Sequence, residues 1–299
     1  MQIIINSGIS LISCLLLVYV APLGDLYIYF NSDTVSAGFL YGVDFQNLVK
    51  KLSDFLETWD EQKFFYGVLS GFTLFMLLSR YPDLLTRLAV TTVFFASLQF
   101  GNIGALIIAL LYLARDKPIL FFTFCAVVSF IKPFYFIILV LYCIDKNNRR
   151  EFLFHFIILS LAFLYYWSSK YGVMSNISSR SDFGFNHIGI LQYLANEYIH
   201  VVIVVFIGSS LSFILLYSKF SNIFVLFFLT TPRLKEYDVF VGILDLFRTD
   251  KKIRGWISVL LFNFSCISAY ASPKINLILG FCVLIIVILP ERKKIGYQG

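Results

Sequence analysis

The densest group of reactive side chains lies late in the chain, where Thr231-Pro232-Arg233-Leu234-Lys235-Glu236-Tyr237-Asp238 carries four charges in six residues ahead of an apolar stretch. Proline at the first helical position predicts a helix start there, and the partial positive charge of a helix N-terminus adds to Arg233 and Lys235. Such a group suits a phosphate. Arg233 can grip two phosphate oxygens at once, and it shares a helical face with Glu236 and Tyr237 at spacings of three and four. Lys132-Pro133 interrupts another apolar region, and a lysine there needs an anion or a wet cavity unless its head snorkels to water. The turn Gln99-Phe100-Gly101-Asn102 offers two amides able to hydrogen-bond a sugar or to cap the next helix.

Asp33, in Asn31-Ser32-Asp33-Thr34-Val35-Ser36, is the candidate general base. A carboxylate there could take the proton of an acceptor hydroxyl as it attacks an anomeric carbon, if its surroundings hold its pKa near the working pH; forming a turn is the alternative role. Asp44 reads as a helix cap, and Asp182, Asn186 and His187 as residues of a solvated loop. No two histidines and no Asp-x-Asp pair have metal-ligand spacing, so neither a metal nor any other cofactor is expected.

The elements that must position these residues are written in the composition. Of 299 residues, 59% are hydrophobic and 14% charged, with mean hydropathy +0.82, too little polar surface to coat a soluble globule. Apolar runs separated by short charged punctuation predict one all-α integral membrane domain over 1-299, a bundle of about 10 to 12 spans. The preferred set is 3-23, 64-79, 84-100, 103-114, 118-131, 134-144, 152-168, 200-217, 222-231, 232-247, 256-270 and 276-290. The alternative merges 84-114 and 118-144 into two long helices. The first run lacks a basic leader and reads as a span rather than a removed signal. Several spans are short: about 14 residues cover only about 21 Å of a roughly 30 Å hydrocarbon core, which implies a cavity.

With both termini cytoplasmic, fifteen of the 24 basic residues fall on the inner side, and the net charge of +6 is explained by basic span ends rather than by nucleic acid. Asp245 is expected to pair with Arg248. The five cysteines all lie in apolar runs and read as buried hydrophobes. Two outer segments are long enough for structure. Residues 24-63 contain an amphipathic pattern over 43-59 that predicts an interfacial helix, and 169-199 reads as a loop with a second, shorter one. On this topology Asp33, Asp44, Gln99, Asn102, Lys132, His187, Arg233, Lys235, Glu236 and Asp238 converge on the outer side, where ionisable groups near short helices mark a functional site, and Tyr237 beside them is a further candidate contact for the sugar or the cavity.

An early outer-loop aspartate (Asp33), a Gln-x-Gly-Asn turn (Gln99 to Asn102), a Lys-Pro between short helices (Lys132-Pro133) and a late Pro-Arg-x-x-x-Tyr-Asp (Pro232, Arg233, Tyr237, Asp238) resemble the GT-C membrane glycosyltransferases. The nearest likeness is to the bacterial polyprenyl-phosphate-mannose-dependent mannosyltransferases, over about residues 25 to 245. The resemblance implies a polyprenyl-phosphate sugar donor, transfer of a hexose with inversion to a glycan or lipid-linked acceptor on the periplasmic or exterior face of the inner (plasma) membrane, and Asp33 as base. The chain departs from that family in being short and in having Ser-Asp-Thr where an aromatic often follows the aspartate. A transporter or flippase for an anionic lipid-linked substrate is the alternative, since the same cationic outer cavity would serve it.

Overall fold

A computed structural model describes residues 2–31, 50–131, 135–144, 157–162, 165, 223–230, 236–248 and 252–288. Among them the fold is all-helical. The helices are α1 (Gln2–Tyr19), α2 (Gly24–Asn31), α3 (Trp59–Leu78), α4 (Leu84–Leu98), α5 (Ile103–Ala114), α6 (Pro118–Ile131), α7 (Phe136–Ile144), α8 (Ile223–Thr230), α9 (Glu236–Arg248), α10 (Lys252–Ala271) and α11 (Pro273–Ile288).

Local chemistry sets most of these boundaries. Thr58 and Glu61 form a capping box at the start of α3, Asp83 caps α4 and Asn102 caps α5, each side-chain oxygen accepting an otherwise orphaned backbone N–H. Prolines open α6 and α11, where the missing N–H costs nothing. Residues 84-114 form two helices, turned by a Gly101 N–H that donates to the Leu98 carbonyl at 2.8 Å, which excludes one long helix there.

Three readings of the sequence need correction. The amphipathic helix expected over 43-59 does not run to Trp59: helix ends at residue 55, and Thr58 caps a new helix that includes Trp59. The capping box breaks the pattern between residue 55 and Trp59. The segment after the first helix is not simply loop, because α2 follows a turn at 20–23. Asp245 does not pair with Arg248; it meets Arg115, while Arg248 faces Asp116.

At the centre lies α9, in contact with α4, α5, α8, α10 and α11. Val239, Phe240, Val241, Ile243 and Leu244 are buried along it, and Phe240 meets Phe94 of α4 edge-on at 5.9 Å. On one flank α1 packs on α3 through Gly67 and Gly71. A Cβ at Gly67 would stand 2.5 Å from Val18 Cγ2, and one at Gly71 would stand 3.3 Å from the Ser10 carbonyl oxygen. This G-x-x-x-G pair, not singled out from the sequence, lets the two backbones approach.

Beside this apolar interior, some polar side chains are buried and many apolar ones exposed. Asn6, Ser10, Ser13, Ser70 and Thr73 are buried between helices, whereas large apolar side chains repeat at helical spacing on exposed faces. Phe65, Val68, Leu69, Phe72 and Met76 line α3; Ile253, Ile257, Leu260, Phe264 and Ile267 line α10. By length and composition, one described helix, Gln2–Tyr19, is long and apolar enough to cross a membrane, and several others are apolar but shorter.

Candidate functional site

Polar side chains gather at the two ends of α9. Its first turn carries Asp238, only 2% exposed. The Tyr135 hydroxyl lies 3.1 Å from Asp238 Oδ1 and 3.1 Å from the Gly104 carbonyl oxygen, so one phenol ties α9 to the start of α5 just ahead of α7. Tyr135 is itself fully buried and packs on Phe227 of α8.

Beside this contact stands Asn102. Its Oδ1 accepts the Gly104 N–H at 2.8 Å, and its Nδ2 donates to Asp25 Oδ2 at 2.8 Å. Asp25 reaches it because the chain after α1 docks on the α4–α5 turn. Leu23 N–H donates to the Gln99 carbonyl and Asp25 N–H to the Phe100 carbonyl, at 3.0 and 2.8 Å. Gly101 makes that docking possible. Its φ of +78° is a conformation that side chains resist, and a Cβ there would lie 2.5 Å from Leu26 Cβ. The Tyr66 hydroxyl of α3 closes the turn by donating to the Leu98 carbonyl at 3.3 Å. Asp25, Asn102, Tyr135 and Asp238 thus form one end of the bundle, held by α2, α5, α7 and α9 with α3 behind.

Of the residues selected from the sequence, Asn102 and Asp238 fall in this group. Gln99 caps α4 and contributes its backbone carbonyl to the turn. Glu236 and Tyr237 open α9. Asp33, Lys132, Arg233 and Lys235 lie outside the described residues, as do Asp44, Asp182, Asn186, His187, Pro232 and the second outer segment. Asp25 and Tyr135 were not foreseen. Asp25 follows Pro22-Leu23-Gly24, a turn signal that could have marked it as a helix-start carboxylate; a tyrosine within Pro133-Phe134-Tyr135-Phe136 has no pattern to set it apart from core.

The opposite end of the bundle holds a second network. The Tyr112 hydroxyl donates to Asp245 Oδ1 at 3.2 Å, Arg115 pairs with the same oxygen and stacks 4.2 Å over the Tyr112 ring, and the Tyr81 hydroxyl donates to the Leu244 carbonyl at 3.2 Å. Arg87, buried, donates to the carbonyls of Tyr81 and Pro82 and braces the α3–α4 connector. Burial, and next the neighbouring Tyr112, push the Tyr81 hydroxyl well above the ordinary tyrosine range. Burial disfavours the Arg115 charge, but Asp245, Tyr112 and Asp116 outweigh it and raise its pKa. At the α4 cap, the Thr86 N–H bond holds Asp83 below the usual carboxylate value, with Lys252 adding a smaller pull.

Seven residues of helix, about 10 Å at 1.5 Å per residue, separate Asp238 from Asp245. The α9 residues between them are apolar or Gly242, and Val239, Phe240, Val241, Ile243 and Leu244 are buried. Among the described residues no group of three or more His, Cys, Asp or Glu side chains could hold a metal ion. No family model matches the chain, and neither a curated protein nor a solved structure is significantly similar to it.

Proposed function

We propose that this chain is a polytopic integral-membrane glycosyltransferase that moves a hexose from a polyprenyl-phosphate donor to a glycan or lipid-linked acceptor on the extracytoplasmic face. Support for the membrane part is the pattern of exposure: apolar stripes on α1, α3 and α10 would face acyl chains, and Gly67 and Gly71 let α1 and α3 approach closely. Helices of 12 to 15 residues such as α4 and α5 cover only about 18–23 Å, so their polar ends would meet protein or water rather than lipid.

The observation that carries the catalytic part is the Tyr135–Asp238 hydrogen bond beside the Asn102–Asp25 pair. Along the sequence Lys132 precedes Tyr135 by three residues, Arg233 precedes Asp238 by five and Asp33 follows Asp25 by eight, which supports assigning all three to the same end of the bundle. Arg233, Lys235 and Lys132 would neutralise the phosphate leaving group, and Asp33 would accept the proton of the attacking hydroxyl. Amide and carboxylate groups such as Asn102 and Asp238 suit the hydroxyls of a sugar, either by direct contact or by holding the cavity wall. A transporter of the same substrate would need a polar path to the other face. Between Asp238 and Asp245 α9 carries only apolar side chains and Gly242, which supports a one-sided site instead.

The deciding experiment incubates the purified protein in lipid with a panel of polyprenyl-phosphate sugars and acceptor glycolipids and measures free polyprenyl phosphate. Acceptor-dependent release is expected. Protein that is folded and inserted yet releases none from any donor, while moving a labelled lipid-linked sugar across vesicles, would replace this reading with transport.

A further inference from the structure

At the end of the bundle away from the proposed site, three guanidinium groups from three helix ends surround one carboxylate. Arg80 follows α3, Arg115 caps the end of α5 and Arg248 is the last residue of α9. Arg80 Nη1 lies 3.1 Å and Arg248 Nη1 3.5 Å from Asp116 Oδ2, and Arg115 Nε lies 3.6 Å from Asp116 Oδ1. Only the first is within ordinary hydrogen-bond range of about 2.7–3.2 Å.

Donors therefore exceed acceptors. Each guanidinium carries five N–H groups. Arg80 spends two, on Asp116 and the Leu113 carbonyl; Arg115 spends one on Asp245; Arg248 makes no hydrogen bond among the described residues. Asp116 has two oxygens and one negative charge to answer three cations, and Asp245 faces only Arg115 among them. Asp116 is also 54% exposed, on the connector between α5 and α6, so turning it out to water costs little. A phosphate group in its place would offer more oxygens in the tetrahedral spread that forked donors match. Ile119 and Leu120, exposed apolar residues at the start of α6, stand three and four positions beyond Asp116, where an acyl chain would lie.

We propose that Arg80, Arg115 and Arg248 form a phosphate seat that Asp116 occupies in reserve, and that its ligand is the phosphate of an anionic lipid headgroup. The seat is independent of glycosyl transfer and needs only that the exposed apolar stripes meet lipid.

The test places the full chain in mixed micelles of phosphatidylglycerol and phosphatidylcholine and counts retained lipids by native mass spectrometry. Wild type should retain phosphatidylglycerol in preference, Arg248→Gln should lower that preference about five-fold, and Asp116→Asn should raise it by a similar factor, each changing one charge at the lipid surface. A second arm adds millimolar inorganic phosphate. Unchanged lipid retention supports the headgroup as ligand, whereas displacement at that concentration would make soluble phosphate the ligand and overturn the assignment. Equal retention of the two lipids by wild type, unmoved by Arg248→Gln, would overturn the seat itself. Because Arg248 is exposed and, among the described residues, pairs only with Asp116, that variant decides the matter even if Asp116→Asn unfolds.

Discussion

The Tyr135 hydroxyl stands 3.1 Å from a carboxylate oxygen of Asp238, joining two residues 103 positions apart in a place from which water is nearly excluded. In such surroundings a polar group left without its partner costs more than the bond itself contributes. Tyr135→Phe should destabilise the protein by about 1–3 kcal/mol, because it removes the hydroxyl that bridges Asp238 of α9 and the Gly104 carbonyl. Asp238→Asn keeps the shape and can still accept from Tyr135, so it should melt close to wild type. If Asp238 lines the sugar site as proposed, the Asn variant should lose turnover while keeping its fold. Thermal melting in detergent, read beside polyprenyl-phosphate release, separates the two effects.

Asn102 performs two tasks that one substitution can separate. Asn102→Asp preserves the oxygen that caps α5 but replaces the amide that donates to Asp25 with a second carboxylate, now about 2.8 Å from the first. A cap alone would make this change neutral. Repulsion between the paired carboxylates should instead lower the melting temperature at pH 7, and Asp25→Asn in the same chain should restore it. A double-mutant cycle giving no coupling between positions 25 and 102 would reduce Asn102 to a cap.

The Asp83 cap carries a pH dependence whose sign follows from its lowered pKa. A carboxyl stabilised in its charged form by the Thr86 N–H contributes to folding in full above its unfolded value, near 3.8, and loses that contribution as pH falls through the folded value. Asp83→Asn, which caps without charge, should therefore be less stable than wild type at pH 7, by less than about 1 kcal/mol for so exposed a group. The gap should close below pH 3.8. A gap that persisted unchanged at pH 3 would locate the effect elsewhere than in the charge.

Two substitutions test the proposed chemistry directly. Arg233→Ala should weaken use of a lipid-phosphate donor about 30- to 150-fold, the loss expected for a shielded bidentate contact of about 2–3 kcal/mol, and Lys there should recover little. Asp33→Asn keeps shape and hydrogen bonding but not basicity, so turnover should fall roughly 10²- to 10⁴-fold with donor binding little changed. Stable Asp33→Asn protein turning over near the wild-type rate would move the base to another carboxylate, with Asp25 and Asp238 the next to substitute.

Helix placement was legible in the sequence because its signals are local. Asp83, Asn102 and Pro118 each mark a start through a backbone N–H they satisfy or lack, and Gly101 marks the reversal between α4 and α5, whereas the last helix starts at Pro273, three residues before the expected span. The amphipathic stretch misled where two helices of similar period abut at Thr58, since periodicity does not register a break that a capping box makes. The tertiary structure alone decided which polar groups meet. Asp245 and Arg248 are three apart on one helix, yet Asp245 turns to Arg115, 130 residues away, because α5 packs along the face of α9 that carries it. Asp25 came to Asn102 in the same way, through docking of the chain after α1 on the α4–α5 turn. Composition requires that buried polar groups find partners, but the partner is chosen by helix packing, which no spacing along the chain encodes.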